Sequence, residues 1–350
     1  MSRFFNPKYS SLEPYTPGEQ PQDMKYIKLN TNESPFDAPP SVAKAAKEAA
    51  ERFRLYPDPT CSAFLKELSE ATGLDEACLM ADNGSDEGLY FSFLAFCGEK
   101  KPAVFPDITY GFYPVFAQFT GVPYTEIPLK KDFSIDINDY IGINKNIFIA
   151  NPNAPTGMAL SAEDIEKIII SNPDNIVLID EAYVDFGAES CLKLIKKYDN
   201  LIVTQTFSKS RSLAGARLGF TAADPAVIRD LNTVRFSTNP YNINAATLAA
   251  GTASLKAEEY TRKNCIEIQK NRTYTTEALK ALGFEVLDSK ANFIFARHPE
   301  KKGKELYLKL KEKGILVRYF DKERIKDFIR ITIGTRQQME TLIEKAGEIL

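Results

Sequence analysis

Three short, unbroken apolar runs mark the middle of the chain: Ile147–Ala150, Ile176–Ile179 and Leu201–Thr204. They are too short for helices and rich in β-branched residues, so they predict strands buried on both faces. Between the first two lies SAEDIEKIIISNP, where Ile165, Ile168 and Ile169 share one helical face and Ser161 is placed to cap the helix. Strand, helix, strand in succession predicts an α/β fold with a mostly parallel sheet flanked by helices. This texture runs from about Phe36 to Tyr241. Before it, Pro7, Pro14, Pro17 and Pro21 stud a polar stretch that reads as an arm laid over something else. From about Ala257 the pattern changes to lysine- and glutamate-rich helices around short strands at Asn292–Ala296 and Phe328–Ile333, the signature of a smaller α+β unit. The expected division is an arm (1–35), a large domain (36–250) and a small C-terminal domain (251–350), in keeping with a length of 350 residues. No repeat or low-complexity tract interrupts it.

Composition narrows the function by exclusion. Lys and Arg number 44 against 47 Asp and Glu, so a net charge of −3 argues against a nucleic-acid or polybasic membrane binder. The longest nearly apolar stretch, Leu89–Cys97, is too short to span a bilayer, and the N-terminus lacks a signal-type apolar core. Cys61, Cys78, Cys97, Cys191 and Cys265 are odd in number and form no CxxC, which fits a reducing, cytoplasmic setting. The single histidine, His298, sits in the charged stretch ARHPEKKG. Ser–His–Asp, Cys–His and zinc-hydrolase chemistry all need histidine beside other groups, so no metal is expected. Any enzyme here must move protons with lysine, tyrosine or carboxylate, or hand the hard chemistry to a cofactor.

In an open α/β sheet, ligands bind beyond the carboxyl ends of the strands. NPNAPTG (151–157), DEAY (180–183) and TFSKSRSLAGARLGF (206–220) follow the three apolar runs. Upstream, Asn83-Gly84-Ser85-Asp86-Glu87 opens an apolar helix whose free N–H groups could hold an anion. Taken singly these are ordinary features: a surface lysine, a helix-capping Asp, a turn, a glycine packed between elements. As an ordered set they are the parts needed to bind pyridoxal 5′-phosphate: a lysine for its aldehyde, a carboxylate for its ring nitrogen, a phenol for its ring oxygen, and a helix N-terminus with an arginine for its phosphate.

The chain resembles the fold-type I aminotransferases, and within them the histidinol-phosphate branch. The likeness runs nearly end to end, through LEPYTPG (12–18), KLNTNESP (28–35), YPD (56–58), NGSDE (83–87), TYGFY (109–113), the three loops above, ANF (291–293) and RITIGT (330–335). It implies that Lys209 is the Schiff-base lysine and proton shuttle, that Asp180 pairs with the ring nitrogen, and that Tyr183 bonds the 3′ oxygen. Gly84, Ser85, Asp86, Thr206, Ser208 and Arg217 would surround the phosphate, with Tyr110 against the ring and Tyr56 reaching the phosphate from the other subunit of a homodimer. Arg330 and Arg318 would bind the anionic end of the substrate, with Asn32 and Tyr15, the latter from the partner's arm, lining the pocket. One position departs from the family pattern: Ala154 stands where Asn commonly precedes PTG, with Asn153 one residue earlier as its substitute on the 3′ oxygen. The implied reaction joins L-histidinol phosphate and 2-oxoglutarate, with an aromatic aminotransferase or a threonine-phosphate decarboxylase as sister activities. A DNA-binding regulator built on this fold would need a basic domain ahead of Lys28, and a dinucleotide-binding protein would need a GxGxxG that is nowhere in the chain.

Overall fold

The three apolar runs lie side by side in one sheet. The computed structural model describes residues 2–10 and 12–350; Met1 and Ser11, both within the expected arm, lie outside the described residues. Its strands are β1 (Ile27–Lys28), β2 (Leu79–Asp82), β3 (Ala103–Pro106), β4 (Tyr124–Ile127), β5 (Asn146–Ala150), β6 (Val177–Asp180), β7 (Leu201–Thr206), β8 (Gly219–Ala223), β9 (Glu285–Val286), β10 (Phe293–Arg297), β11 (Ile315–Leu316), β12 (Arg318–Tyr319) and β13 (Ile329–Thr332). The helices are α1 (Pro40–Ala50), α2 (Ser62–Thr72), α3 (Ser85–Phe96), α4 (Phe112–Thr120), α5 (Ala162–Ser171), α6 (Pro225–Thr238), α7 (Ala245–Leu255), α8 (Glu258–Ala281), α9 (Gly303–Glu312) and α10 (Arg336–Ile349).

The large sheet has the order β2-β8-β7-β6-β5-β3-β4, and only β8 runs against its neighbours. Alternate residues feed two cores. Ile147, Ile149, Val177 and Ile179 pack with Phe64 of α2 and Ile165 and Ile168 of α5. Phe148 and Leu178 face the other way, onto Leu89 and Phe93 of α3, Tyr113 of α4 and Leu231 of α6. Burial on both faces is why these strands read as continuous apolar runs instead of alternating ones. Ser161 accepts the N–H of Asp164 and so caps α5 as its position in the sequence suggests.

A second, antiparallel sheet of order β12-β13-β10-β9 packs with α8, α9 and α10 around Ile294, Leu306, Ile331 and Leu342. The end of the expected arm belongs with this sheet. β1 pairs in parallel with β11, Thr332 donates its N–H to the Leu29 carbonyl at 2.9 Å, and Leu29 is 2% exposed in the same core. Leu29 is buried, Ile27 packs partly buried against the same core, and the backbone bonds β11 and β13, so this part of the arm is fixed to the small sheet.

Candidate active site

Strand registry brings the chemistry together. Ala150 of β5 pairs with Asp180 of β6, which pairs with Thr204 of β7, so the loops that follow these strands open onto one cavity of about 790 Å³. Lys209, Asp180, Tyr183, Ser85, Asp86, Tyr110, Thr206, Ser208, Arg217, Tyr15, Asn32, Arg318 and Arg330 all line it.

Asp180 is buried at the end of β6. Tyr113 donates its hydroxyl to Oδ2 at 3.2 Å, and the Ala182 N–H reaches Oδ1 at 3.2 Å. Burial, reinforced by the negative charge of Asp86, pushes the Asp180 carboxyl up to about 7. Lys209 is displaced in the opposite sense: burial, with Arg330 adding repulsion, brings its ammonium down to about 8. Its Nζ donates to the Thr31 carbonyl at 3.1 Å and sits 5.8 Å from the centre of the Tyr183 ring. Tyr183 accepts the Asn32 side-chain amide at 3.0 Å and stands edge-on to Phe293. Asn32 is itself fixed at φ 58°, its N–H on Thr332 Oγ1 at 3.0 Å and its carbonyl on the Asn292 amide at 2.9 Å. A residue from the arm thus aligns the phenol through the small sheet.

The opposite wall is the start of α3. Asp86 accepts from the Tyr110 hydroxyl at 2.7 Å and pairs with Arg217 at 3.2 Å, while Thr206 and Ser208 share a hydroxyl contact at 2.9 Å. The first-turn N–H groups of Ser85 and Asp86 meet no acceptor among the described residues. Gly84 has φ +79°, and a Cβ there would stand 2.7 Å from Arg217 Nη2. A Cβ on Gly219 would stand 2.5 Å from the Ser85 nitrogen. Two glycines therefore keep open a cradle of unsatisfied donors beside an arginine, which is the donor set a phosphate monoester requires.

Arg330 donates to the Asn30 carbonyl at 3.0 Å, and its buried Nε has no partner among the described residues. Arg318 is committed differently: both terminal nitrogens bond arm carbonyls, Pro17 at 3.0 Å and Thr16 at 2.9 Å.

Two expectations change. Asn153 does not line the cavity: its amide donates to the Ile108 carbonyl and to Thr156, and its oxygen accepts from Thr109, so it braces its own loop and has nothing left for a ring oxygen. Tyr15 lies in its own chain's cavity, stacked on Phe112 at 4.2 Å, because Arg318 and the Glu19 contacts with Tyr307 and Lys311 hold the arm there. Tyr56, expected to serve the neighbouring subunit, lies outside its own chain's cavity and is 80% exposed. Two participants carried no assigned role in the sequence, Tyr113 and the Thr31 carbonyl. Tyr113 sits in the first turn of α4, its ring edge-on to that of Tyr110 in the preceding loop at 5.8 Å.

The model of the family described as aminotransferase class I and II matches residues 24–345. The chain belongs to this family. It is 50% identical over 352 residues to a histidinol-phosphate aminotransferase of Brachyspira hyodysenteriae, covering 100% of this chain and 99% of that protein. To one of Acinetobacter baumannii it is 47% identical over 346 residues, covering 98% and 96%. The histidinol-phosphate aminotransferase of Sinorhizobium meliloti, solved in complex with pyridoxal-5′-phosphate, superposes with a TM-score of 0.89 over 100% of this chain and 98% of that one, at 23% identity. That likeness is one of fold, a mostly parallel sheet flanked by helices in the fold-type I arrangement. The chain is therefore an aminotransferase of the pyridoxal-phosphate-dependent class, and the donor cradle, the depressed lysine and the buried carboxylate fit that cofactor.

Proposed function

We propose that this aminotransferase transfers the amino group of L-histidinol phosphate to 2-oxoglutarate, giving imidazole-acetol phosphate and glutamate, a step of histidine biosynthesis. The observation that carries the choice is Arg330. A guanidinium inside the cavity that, among the described residues, hydrogen-bonds one carbonyl and lies over the Phe293 and Phe320 rings, with its Nε unpartnered, is incomplete without an anion. The phosphate of the donor and a carboxylate of the acceptor meet that need in turn.

Pyridoxal 5′-phosphate supplies an aldehyde carbon that takes up the amino group and a ring that delocalises the electron pair left at Cα. Lys209 would hold it, and the freed Nζ moves the proton from the substrate's Cα. A lysine brought down to about 8 keeps a useful neutral fraction near neutral pH. Asp180 would face the ring nitrogen, where a neighbouring positive charge favours the ionised carboxylate. Tyr183, steered by Asn32, would meet the ring oxygen, and Tyr110 the ring face. Ser85, Asp86, Thr206, Ser208 and Arg217 would enclose the phosphate. The Asp86 carboxylate is taken by Tyr110 and Arg217, so its contribution is the backbone N–H.

The functional unit on this reading is a homodimer in which Tyr56 serves the partner's cofactor. Phe53, Leu55, Tyr56 and Tyr241 are 59%, 55%, 80% and 41% exposed, with Tyr56 stacked on Tyr241, a surface suited to burial against a second chain. Residues 36–250 form the cofactor-binding domain and 251–350 the small domain. The five free thiols fit a cytoplasmic enzyme; no helix among the described residues is long and apolar enough to cross a membrane.

A substrate panel on the purified enzyme tests the assignment. Histidinol phosphate should show a higher kcat/KM than phenylalanine, tyrosine or aspartate. Arg330→Ala should impair both half-reactions by roughly 10–100-fold in kcat/KM, the scale of one hydrogen bond to a charged group. Preference for an aromatic amino acid, or carbon dioxide release from threonine phosphate, would reassign the substrate.

A further inference from the structure

Away from the cavity, α6 carries a buried cation that makes no ion pair with a carboxylate among the described residues. Arg235 is 4% exposed, and its guanidinium donates to neutral oxygens: Nε to Asn232 Oδ1 at 2.9 Å, Nη1 to Asn242 Oδ1 at 3.1 Å and Nη2 to the Pro59 carbonyl at 3.0 Å. Burying a charge against neutral acceptors is costly, and a planar fork of fixed donors is suited to holding segments at a set angle. The two segments held here share a neighbour. Pro59 lies in the loop that carries Tyr56. Asn242 follows Tyr241, whose ring stacks on Tyr56 with centroids 4.5 Å apart and planes 21° from parallel. One guanidinium therefore grips both the loop bearing Tyr56 and the segment bearing the ring against it.

The loop is otherwise locked from within. Asp58 accepts the N–H and hydroxyl of Thr60 at 2.9 and 2.6 Å, and the N–H and hydroxyl of Ser62 at 2.8 and 2.6 Å. Cys61 turns the chain into α2 at φ 55°. On this rigid base Tyr56 is 80% exposed, and its hydroxyl bonds nothing among the described residues. A phenol held in place by so many contacts, with its polar end bare, is presented to something outside its own chain.

We propose that Arg235 is a positioning residue for Tyr56, fixing the angle at which the loop presents the phenol to the cofactor phosphate of the partner subunit. This rests on the reading that Tyr56 serves the partner's site. Arg235 also leads inward: Asn242 donates to Glu87 Oε2 at 2.5 Å, and Glu87 accepts the Asn83 N–H at 2.7 Å beside the phosphate cradle. A route within the same chain is thus the rival that the experiment must separate.

The test titrates apoprotein dimers with pyridoxal 5′-phosphate. Tyr56→Phe should weaken binding about tenfold, the loss of one hydrogen bond to a charged group. Arg235→Gln should weaken it to a similar extent, and adding Tyr56→Phe should cost little more, since both changes act through one phenol. Arg235→Lys, which keeps the charge and a donor, should recover part of the affinity, and it serves for the cycle if Arg235→Gln does not fold. Hybrid dimers then pair an Arg235→Gln chain with a Lys209→Ala chain. Borohydride trapping on the single remaining Lys209, followed against cofactor concentration, should report wild-type affinity, because that site receives its Tyr56 from the other chain. Losses that multiply, or a trapped site that stays weak, overturn the assignment in favour of the route through Asn242 and Glu87. If Tyr56→Phe alone leaves the affinity unchanged, the shared-site reading fails, and the role of Arg235 falls with it.

Discussion

Asp180 and Lys209 are moved toward each other by the same force. Removal from water disfavours whichever form is charged, so the carboxyl rises to about 7 and the ammonium falls to about 8. Each shift leaves a trace in the stability of the apoprotein. A raised carboxyl holds its proton in the folded chain while the unfolded chain has released it, so between about pH 4 and 7 the folded state binds more protons and stability declines as pH rises. Denaturant unfolding of wild-type and Asp180→Asn apoprotein over that window should show the decline reduced in the variant, with the difference vanishing below pH 4. Equal slopes would mean that Asp180 is solvated in the free protein. In the loaded enzyme the same substitution should lower kcat by about 10²–10³-fold, the scale of one preorganised electrostatic contact, while changing cofactor affinity much less. Tyr113 bonds this carboxylate from the first turn of α4, a contact across 67 positions that its place in TYGFY did not announce. The Thr31 carbonyl on Lys209 was no more legible, since the two residues are 178 positions apart and a carbonyl leaves no mark in a sequence.

At the scale of elements, what was legible followed from local rules. The strands β5, β6 and β7 announce themselves as apolar runs because both faces are buried, and α5 because its cap and its isoleucine face are adjacent in sequence. The pairing of β1 with β11 gave no such signal: each is two residues long, and their register joins Ile27 to Ile315. Tertiary contact alone creates them. The turn into α3 lies between these cases. NGSD can be a plain turn, and the structure shows what distinguishes it: a positive-φ Gly84 whose missing Cβ leaves room for Arg217. Gly84→Ala should therefore combine about 1–3 kcal/mol of backbone strain at a conformation only glycine adopts readily with displacement of the guanidinium. Cofactor affinity should fall by more than tenfold through loss of the guanidinium, while thermal unfolding of the apoprotein reports the strain separately. Unchanged affinity would remove Arg217 from the phosphate site.

At the scale of the whole molecule, the proposed dimer raises the question of which chain completes which cavity, and the two tyrosines brought by the N-terminal third are placed differently. Tyr15 is held in its own chain's cavity by contacts at both ends of its segment: stacking on Phe112 on one side, and on the other Arg318 on the carbonyls of residues 16 and 17 with Glu19 anchored by Tyr307 and Lys311. Tyr56 stands exposed outside its own cavity, stacked on Tyr241. Subunit mixing separates them. Pairing a Lys209→Ala chain with a Tyr56→Phe chain should give one doubly defective site and one intact site, so activity recovers to about half of wild type. Pairing Lys209→Ala with Tyr15→Ala should not recover. The only site with a lysine then carries the altered arm of the same chain, and its activity should match that of a Tyr15→Ala homodimer per lysine-bearing site. Recovery in the second mixture would mean that the arm crosses to the partner in the assembled dimer, exchanging its contact with Arg318 for one across the interface. Each single variant must first show a measurable loss as a homodimer, and light scattering must report a dimer at assay concentration. A fully active monomer would refute sharing of either kind.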